Sequence, residues 1–154
     1  MAANTIKVGF VGCGGITKLY TDIYANLTDI ATVVAVADPV DELAERRRRA
    51  LIEAYKAEAH LAGFRAEDAR SNAERESQLM KKDSAESAAK TPIRKYRTYE
   101  DLLKDDEVQA IVVSTPPTVR VGPTVAAADS GRHVFIQGPM ARSVEEADAM
   151  VAAV

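Results

Sequence analysis

Hydrophobic residues along this chain fall into short runs with few polar interruptions, and not into an alternating pattern. Three such runs, at residues 6–11, 31–37 and 110–114, are rich in valine, isoleucine and alanine. Each run ends at a glycine or shortly before a proline. Continuous apolar strands of this kind are typical of a parallel sheet that helices cover on both faces. The pattern therefore predicts an α/β protein.

A glycine-rich turn and a helix connect the first two runs. Residues 12–15 read Gly-Cys-Gly-Gly. The apolar residues that follow have the i, i+3, i+4, i+7 spacing of one helix face; they are Ile16, Leu19, Tyr20 and Ile23. Strand, glycine turn, helix and strand in this order predict a βαβ unit, in which the two strands are parallel.

The second half of the chain repeats this alternation of strands and helices. The predicted elements are a short strand at 93–96, a helix at 98–103 that Thr98 caps, a strand at 110–114, a helix at 121–130, a strand at 133–137 and a helix from 143 onwards. Ser143 and Glu146 form a capping box, and Gly131 is the expected stop of the preceding helix. Strands that alternate with helices predict a doubly wound parallel sheet.

The segment between the two halves differs from them in charge. Residues 41–97 carry 11 acidic and 14 basic side chains, whereas the whole chain of 154 residues has a net charge of −3. The best helix formers lie at 42–61, and Gly63 is expected to cap that helix. A charged helical insert at 41–92 is therefore predicted within a single domain that covers 1–154.

The second part of this insert offers little to bury. Between residues 66 and 90 the only large apolar side chains are Leu79 and Met80. A segment of this composition is expected to be a solvated helix, a hairpin arm or partly disordered.

Composition excludes several classes of protein. A single cysteine rules out a disulfide framework and a cysteine-rich zinc site, and it indicates a reducing, cytoplasmic setting. The mild net negative charge argues against nucleic acid as a partner, and no apolar run approaches the roughly 20 residues that cross a bilayer. His60 lies among charged residues without a second ligand nearby, so we expect no metal site.

The turn after the first strand has the spacing of a dinucleotide-binding motif, Gly12-x-Gly14-x-x-Thr17. The first glycine permits the tight turn, and the second allows the backbone to approach a pyrophosphate, which the helix N-terminus attracts. An acidic residue, Asp38, closes the second strand, where it can accept hydrogen bonds from ribose hydroxyls. Its charge would repel a 2′-phosphate, so the sequence favours NAD over NADP.

Five segments together resemble one family in their order and spacing. Residues 7–16, 34–38, 99–103, 114–117 and 131–134 resemble the glucose–fructose oxidoreductase and inositol dehydrogenase family, Gfo/Idh/MocA. The resemblance implies an N-terminal NAD(P)-binding Rossmann domain with strand order 3-2-1-4-5. In full-length members, a C-terminal α/β domain then contacts the substrate.

The resemblance also implies which residues bind the cofactor. Gly12, Gly14, Gly15 and Ile16 would surround the pyrophosphate, and Asp38 would bind the adenosine ribose. The path towards the nicotinamide would be lined by Thr115, Pro116 and Pro117, with Gln137 close to the ring.

Three departures from the family pattern put catalysis by this chain in doubt. The family's Glu-Lys-Pro is Gln137-Gly138-Pro139 here, so its lysine is missing. A histidine that often follows the Thr-Pro-Pro segment is Arg120, which can hold an anion but cannot shuttle protons near neutral pH. A sixth strand and the C-terminal domain are absent from the sequence, so we expect a truncated domain that contains no catalytic residue.

Three functions are consistent with this sequence. The first is the cofactor-binding domain of an oxidoreductase that transfers hydride between a nicotinamide and a sugar or cyclitol-like alcohol, with substrate bound only when the C-terminal domain is present. The second is a non-catalytic dinucleotide-binding or sensing module. The third is an assembly domain that works through the insert at 41–92, and a homo-oligomer is consistent with any of them.

Other chemically notable residues receive structural interpretations. Cys13 lies in the glycine turn, and His133 begins the strand at 133–137; packing or structural roles are expected for both. Arg46, Arg47, Arg48 and Arg49 are consecutive, so their side chains fan around a helix. With glutamates on either side, they are expected to form a solvated helix face.

Overall fold

The computed structural model describes residues 5–154 of the chain. Its strands are β1 (Ile6–Val11), β2 (Ala31–Ala37), β3 (Arg94–Tyr96), β4 (Ala110–Val113) and β5 (His133–Ile136). Its helices are α1 (Thr17–Ala25), α2 (Asp41–Glu67), α3 (Asn72–Lys90), α4 (Tyr99–Leu102), α5 (Val121–Asp129) and α6 (Val144–Ala152), and a short 3-10 turn covers Pro117–Val119.

The five strands form one parallel sheet with the order β3-β2-β1-β4-β5, which confirms the predicted Rossmann architecture. The last residue of β1, Val11, pairs with the last residues of both neighbours, Ala37 and Val113. β3 and β5 end at the same level, because Tyr96 pairs with Ala37 and Ile136 pairs with Val113. The turns that follow the strands therefore meet at one edge of the sheet.

Two hydrophobic cores lie on the two faces of the sheet. Phe10, Val33, Leu51 and Tyr55 belong to the core beneath α1 and α2, and the Tyr55 hydroxyl accepts a hydrogen bond of 2.9 Å from the Val33 amide. The other core, beneath α4 and α5, contains Val34, Ala35, Leu102, Ile111 and Val113. Because it lies between both cores, β2 is buried at all seven positions.

The insert is a helical hairpin in which α2 and α3 pack against each other. α2 continues through Gly63 to Glu67, so the prediction that Gly63 caps the helix is wrong. Contact with α3 outweighs the roughly 1 kcal/mol that glycine costs inside a helix. α3 buries only Ala85 and Ala88 along its length.

Of the four apolar residues that predicted α1, only Tyr20 packs against the core. Ile16, Leu19 and Ile23 are 41–54% exposed, whereas Thr17 and Thr21 are buried. Small side chains on the inner face allow the helix to approach the glycine turn closely. Within the described residues, no helix is both long and apolar enough to cross a membrane.

Candidate functional site

A cleft of about 730 Å³ opens at the edge of the sheet where the strands end. All nine residues that the sequence predicts for cofactor binding line this cleft; they are Gly12, Gly14, Gly15, Ile16, Asp38, Thr115, Pro116, Pro117 and Gln137. They come from the turns after β1, β2, β4 and β5. The structure thus brings all of them together, and their contact with a cofactor stays a prediction.

Gly12 occupies a position that only glycine can fill. Its φ of +90° lies in a region that side chains disfavour. A Cβ built there would lie 3.0 Å from the carbonyl carbon of Ser114 and 3.0 Å from the amide nitrogen of Thr115. The glycine therefore allows the β1 turn to pass directly against the β4 turn.

Gly14 and Gly15 leave space above the N-terminus of α1. No atom lies within 4 Å of a Cβ built at either glycine. Within the described residues, the amides of Gly14, Gly15 and Ile16 donate no hydrogen bond. No side chain caps α1, and its first turn has no acidic residue. Because these amide groups have no hydrogen-bond acceptor among the described residues and lie at the positive end of the helix dipole, this position is suitable for an anion.

Thr17, the third position of the motif, closes the turn from below. Its hydroxyl donates a hydrogen bond of 2.7 Å to the Gly12 carbonyl, and the side chain is fully buried. Most dinucleotide motifs have glycine or alanine here for close packing. Threonine fits because its extra atoms form a hydrogen bond that fixes the turn.

Asp38 joins the end of β2 to the glycine turn. Its Oδ2 accepts a hydrogen bond of 2.8 Å from the Cys13 amide, and its Oδ1 accepts one of 2.9 Å from the Val40 amide. Each carboxylate oxygen can accept a further hydrogen bond. The side chain lines the cleft and is therefore placed to accept a pair of hydroxyl groups.

Cys13 has the packing role that was expected for it. The side chain is fully buried. Burial raises the pKa of the thiol from its ordinary value of 9.0 to about 12, and the nearby Asp38 carboxylate adds to the effect. The thiol is therefore neutral and unreactive at physiological pH.

One wall of the cleft was not identified from the sequence. It consists of residues that follow β3, namely Arg97, Thr98, Tyr99 and Glu100. The predicted strand order 3-2-1-4-5 already places β3 beside β2, and in the structure the amide of Asp38 donates a hydrogen bond of 3.1 Å to the carbonyl of Tyr96. Residues after β3 must therefore lie beside the end of β2.

Arg120 also lines the cleft, but its side chain is not available to hold an anion. The side chain is only 2% exposed, and burial lowers its pKa. All five of its N–H groups donate to protein oxygens, on Thr115, Gln137 and Pro139. No donor remains for an anion, so Arg120 instead ties the β4 turn to the β5 turn.

Gly138, which replaces the family's lysine, faces open space. No atom lies within 4 Å of a Cβ built at this position. The hydroxyl oxygens of Ser114 and Thr115, two residues that line the cleft, are buried and have no hydrogen-bond partner within the described residues. Position 138 itself therefore contributes open space and no side chain to the cleft.

Arg47 departs from the expected solvated face of the arginine run. It is 5% exposed, whereas Arg46 and Arg49 are exposed. The side chain extends beneath the glycine turn and donates a hydrogen bond of 3.0 Å to the Gly14 carbonyl. Burial follows from this long-range partner, which a helix pattern does not encode.

No group of three or more His, Cys, Asp or Glu residues within 5–154 could hold a metal ion. The polar groups of the cleft include backbone amides, hydroxyls, the carboxylates of Asp38 and Glu100, and the guanidinium of Arg97. This set fits a phosphorylated nucleoside.

The parallel sheet and the glycine turn at its edge define the class of this protein, a Rossmann-type nucleotide-binding fold. A family model described as "Oxidoreductase family, NAD-binding Rossmann fold" matches residues 55–154. The chain belongs to this family, Gfo/Idh/MocA, and is an NAD-binding domain of the oxidoreductase type.

Individual relatives are longer than this chain. A glycosyl hydrolase family 109 protein of Solibacter usitatus is 24% identical over 143 residues, which are 93% of this chain and 26% of that protein. The chain thus spans about a quarter of the length of that curated relative.

Solved structures of dehydrogenases share the fold. The WlbA dehydrogenase of Bordetella pertussis, in complex with NADH and UDP-GlcNAcA, has a TM-score of 0.60 and 26% identity over 97% of this chain and 34% of its own. Myo-inositol dehydrogenase of Lactobacillus casei, in complex with NAD(H) and myo-inositol, has a TM-score of 0.67 and 21% identity over 97% of this chain and 33% of its own. Related structures include both NAD(H) and NADP complexes, so a nicotinamide dinucleotide is the cofactor class of the fold.

Proposed function

We propose that this chain is the cofactor-binding domain of an enzyme that transfers hydride between NAD and a sugar or cyclitol-like alcohol. The observation that carries the proposal is the arrangement of the cleft. The Gly14 and Gly15 amides of its glycine turn have no hydrogen-bond acceptor within residues 5–154, and the turn lies beside the Asp38 carboxylate. The substrate class follows the relatives, one of which is bound to an inositol and another to a nucleotide sugar.

Each part of the cofactor has a matching group in the cleft. The pyrophosphate would accept hydrogen bonds from the amides of Gly14, Gly15 and Ile16 at the N-terminus of α1. The adenosine ribose would donate its hydroxyls to Asp38. The nicotinamide would lie between the β4 and β5 turns, beside Pro117 and Gln137.

NAD is the proposed cofactor in preference to NADP. A 2′-phosphate would approach the Asp38 carboxylate, which lies against the Cys13 and Val40 amides and is mostly buried. The 2′-phosphate and the Asp38 carboxylate would repel each other, because both are negatively charged and the carboxylate is largely shielded from water. The hydroxyl of NAD instead forms a hydrogen bond at the same place.

The residues of this chain supply binding and orientation in the proposed reaction. NAD supplies the hydride chemistry when it is bound. Gly138 has no side chain, and all N–H groups of Arg120 already donate to protein oxygens, so we assign no proton transfer to either position. The family's C-terminal domain is the proposed source of substrate contacts and proton transfer.

Calorimetric titration with NAD, NADH, NADP and NADPH tests this proposal. The expected result is binding of NADH and NAD, with weaker binding of NADP and NADPH, which carry the additional 2′-phosphate. Circular dichroism and a cooperative thermal transition establish that the sample is folded. A folded sample that gives no heat with any of the four cofactors overturns the proposal.

An assembly role remains the second candidate, because the hairpin exposes large apolar side chains. Leu61, Phe64, Leu79 and Met80 are 41–64% exposed. Self-association through them would appear in sedimentation velocity as a dimer that Phe64→Ser and Met80→Ser together convert to a monomer.

The non-catalytic sensing role has no support among the relatives. The cytoplasmic setting and the domain boundary of 1–154 stay predictions.

A further inference from the structure

Arg47 is a buried cation that lies directly beneath the glycine turn. It belongs to α2, the first helix of the insert, and only 5% of its surface is exposed. Its Nη2 donates a hydrogen bond of 3.0 Å to the carbonyl of Gly14, and its Nη1 donates one of 2.7 Å to the hydroxyl of Thr21. The guanidinium therefore contacts the turn without lining the cleft.

The hydrogen bond to Gly14 fixes the orientation of a peptide group. In a trans peptide the C=O and the following N–H point in opposite directions. Because the Gly14 carbonyl points towards Arg47, the amide N–H of Gly15 points away from it. That N–H donates no bond within the described residues, and Gly15 lines the cleft. Arg47 thus directs a donor into the site.

A network extends this control to both ends of the turn. The hydroxyl of Thr21 accepts from Arg47 and donates a hydrogen bond of 3.0 Å to the carbonyl of Thr17. The hydroxyl of Thr17 in turn donates to the carbonyl of Gly12. Arg47 therefore connects α2 with α1 and, through these hydrogen bonds, with Gly12 and Thr17, the first and last positions of the motif.

The charge of Asp22 acts on Arg47 and favours its protonated form, but Asp22 does not reach ion-pair distance. Within residues 5–154 it forms no ion pair. Its Nε is buried without a hydrogen-bond partner. Burial lowers the pKa of this guanidinium, but arginine stays charged in proteins. A buried charge is costly unless it is paired, and an anion bound above the turn would add a favourable negative charge to that of Asp22.

We propose that Arg47 is a positioning residue that holds the glycine turn in its anion-binding form and favours a diphosphate through its charge. This proposal rests on the proposed function, because the diphosphate would be that of the dinucleotide. It assigns part of the charged insert to cofactor binding.

The test compares two neighbouring arginines of the same helix. Arg47→Met removes the buried charge and its hydrogen bonds, while Arg46→Met removes an exposed charge one residue away. For Arg47→Met, the expected affinity for NADH and for ADP-ribose is about tenfold weaker, which corresponds to about 1.4 kcal/mol. For Arg46→Met, both affinities are expected to stay close to those of the wild type.

Adenosine separates a positioning role from a merely structural one. It contains the base and ribose but no phosphate, so its weak binding, followed by NMR titration, is expected to be the same in Arg47→Met and wild type. Equal losses for adenosine and ADP-ribose would indicate a general collapse of the cleft and would overturn the proposal. Equal effects of the Arg46 and Arg47 substitutions would also overturn it.

A second variant covers the case in which Arg47→Met does not fold. Arg47→Lys keeps the charge but can no longer hold both acceptors in one plane. A selective loss of ADP-ribose affinity in Arg47→Lys supports the proposal, and unchanged affinity overturns it. Failure of the proposed function is distinguishable, because in that case the wild-type chain itself binds neither NADH nor ADP-ribose.

Discussion

The carboxylate of Asp38 accepts a hydrogen bond of 2.8 Å from the backbone amide of Cys13, although 25 residues separate them in sequence. This bond joins the proposed ribose acceptor to the proposed phosphate turn. The distance between the two subsites is therefore set by the sheet, since β1 and β2 are neighbouring strands. A ligand whose phosphate and ribose match that spacing encounters a site that is already arranged.

Replacement of Asp38 by alanine tests the ribose assignment. Asp38→Ala removes the hydroxyl acceptor and also the repulsion of a 2′-phosphate. We expect the affinity for NAD to fall about tenfold or more and the preference for NAD over NADP to decrease. Calorimetric titration of both cofactors measures the ratio. An unchanged ratio in a folded variant would remove Asp38 from the ribose site.

Substitution of Gly12 tests the close passage of the β1 and β4 turns. Gly12→Ala places a Cβ 3.0 Å from the backbone of the β4 turn at a φ of +90°. We expect the free energy of unfolding to fall by about 2 kcal/mol or more, because the residue is strained and the neighbouring atoms are backbone. Urea unfolding measures the change. Gly138→Ala is the matched control, since that position is open, and a similar loss in both variants would contradict the steric explanation.

Arg120 is expected to stabilise the fold through its five donated hydrogen bonds. Arg120→Met leaves buried carbonyl groups without partners, which costs about 1–3 kcal/mol for each unsatisfied group. We expect the free energy of unfolding to decrease by about 2–4 kcal/mol. Arg142→Met is the control, because Arg142 forms an exposed ion pair with Glu146, and such pairs contribute about 0–1 kcal/mol. Equal decreases in the free energy of unfolding for the two variants would contradict the stabilising role of the Arg120 hydrogen bonds.

The buried thiol of Cys13 gives a pH dependence of stability whose sign is fixed. Its pKa is raised from 9.0 to about 12 in the folded protein, so above pH 9 the unfolded chain loses this proton while the folded chain keeps it. Stability from this group is complete below pH 9 and decreases as the pH rises towards 12, by about 1.4 kcal/mol per unit.

Urea unfolding between pH 8 and pH 10, on the wild type and on Cys13→Ala, isolates this effect from that of the tyrosines. The wild type is expected to lose more stability over this interval than the variant. Parallel decreases in the two proteins would show that the thiol is not buried as a neutral group.

The sheet and the ligand-facing glycines could be predicted because their signals are local. Continuous apolar runs such as 31–37 predict buried parallel strands. The glycine spacing after residues 6–11 predicts a dinucleotide-binding turn when a strand precedes it and a helix follows it. The strand order followed from the resemblance. These features agree with the structure because each involves residues that are close in sequence or repeated in a known order.

The roles of the two buried arginines could not be predicted, since their partners are distant. Arg47 contacts Gly14 across 33 positions, and Arg120 reaches Pro139 across 19. A run of arginines on a helix gives no indication of which one turns inward. The helix stop at Gly63 was wrong for a related reason, because the packing of α3 on α2 decides where α2 ends.

α2 is one unbroken helix that has Arg47 near its beginning and Phe64 near its end. The 17 positions between them correspond to about 25 Å at 1.5 Å per residue. The exposed apolar side chain of Phe64 and the residue that contacts the Gly14 peptide thus belong to one continuous element, near its two opposite ends.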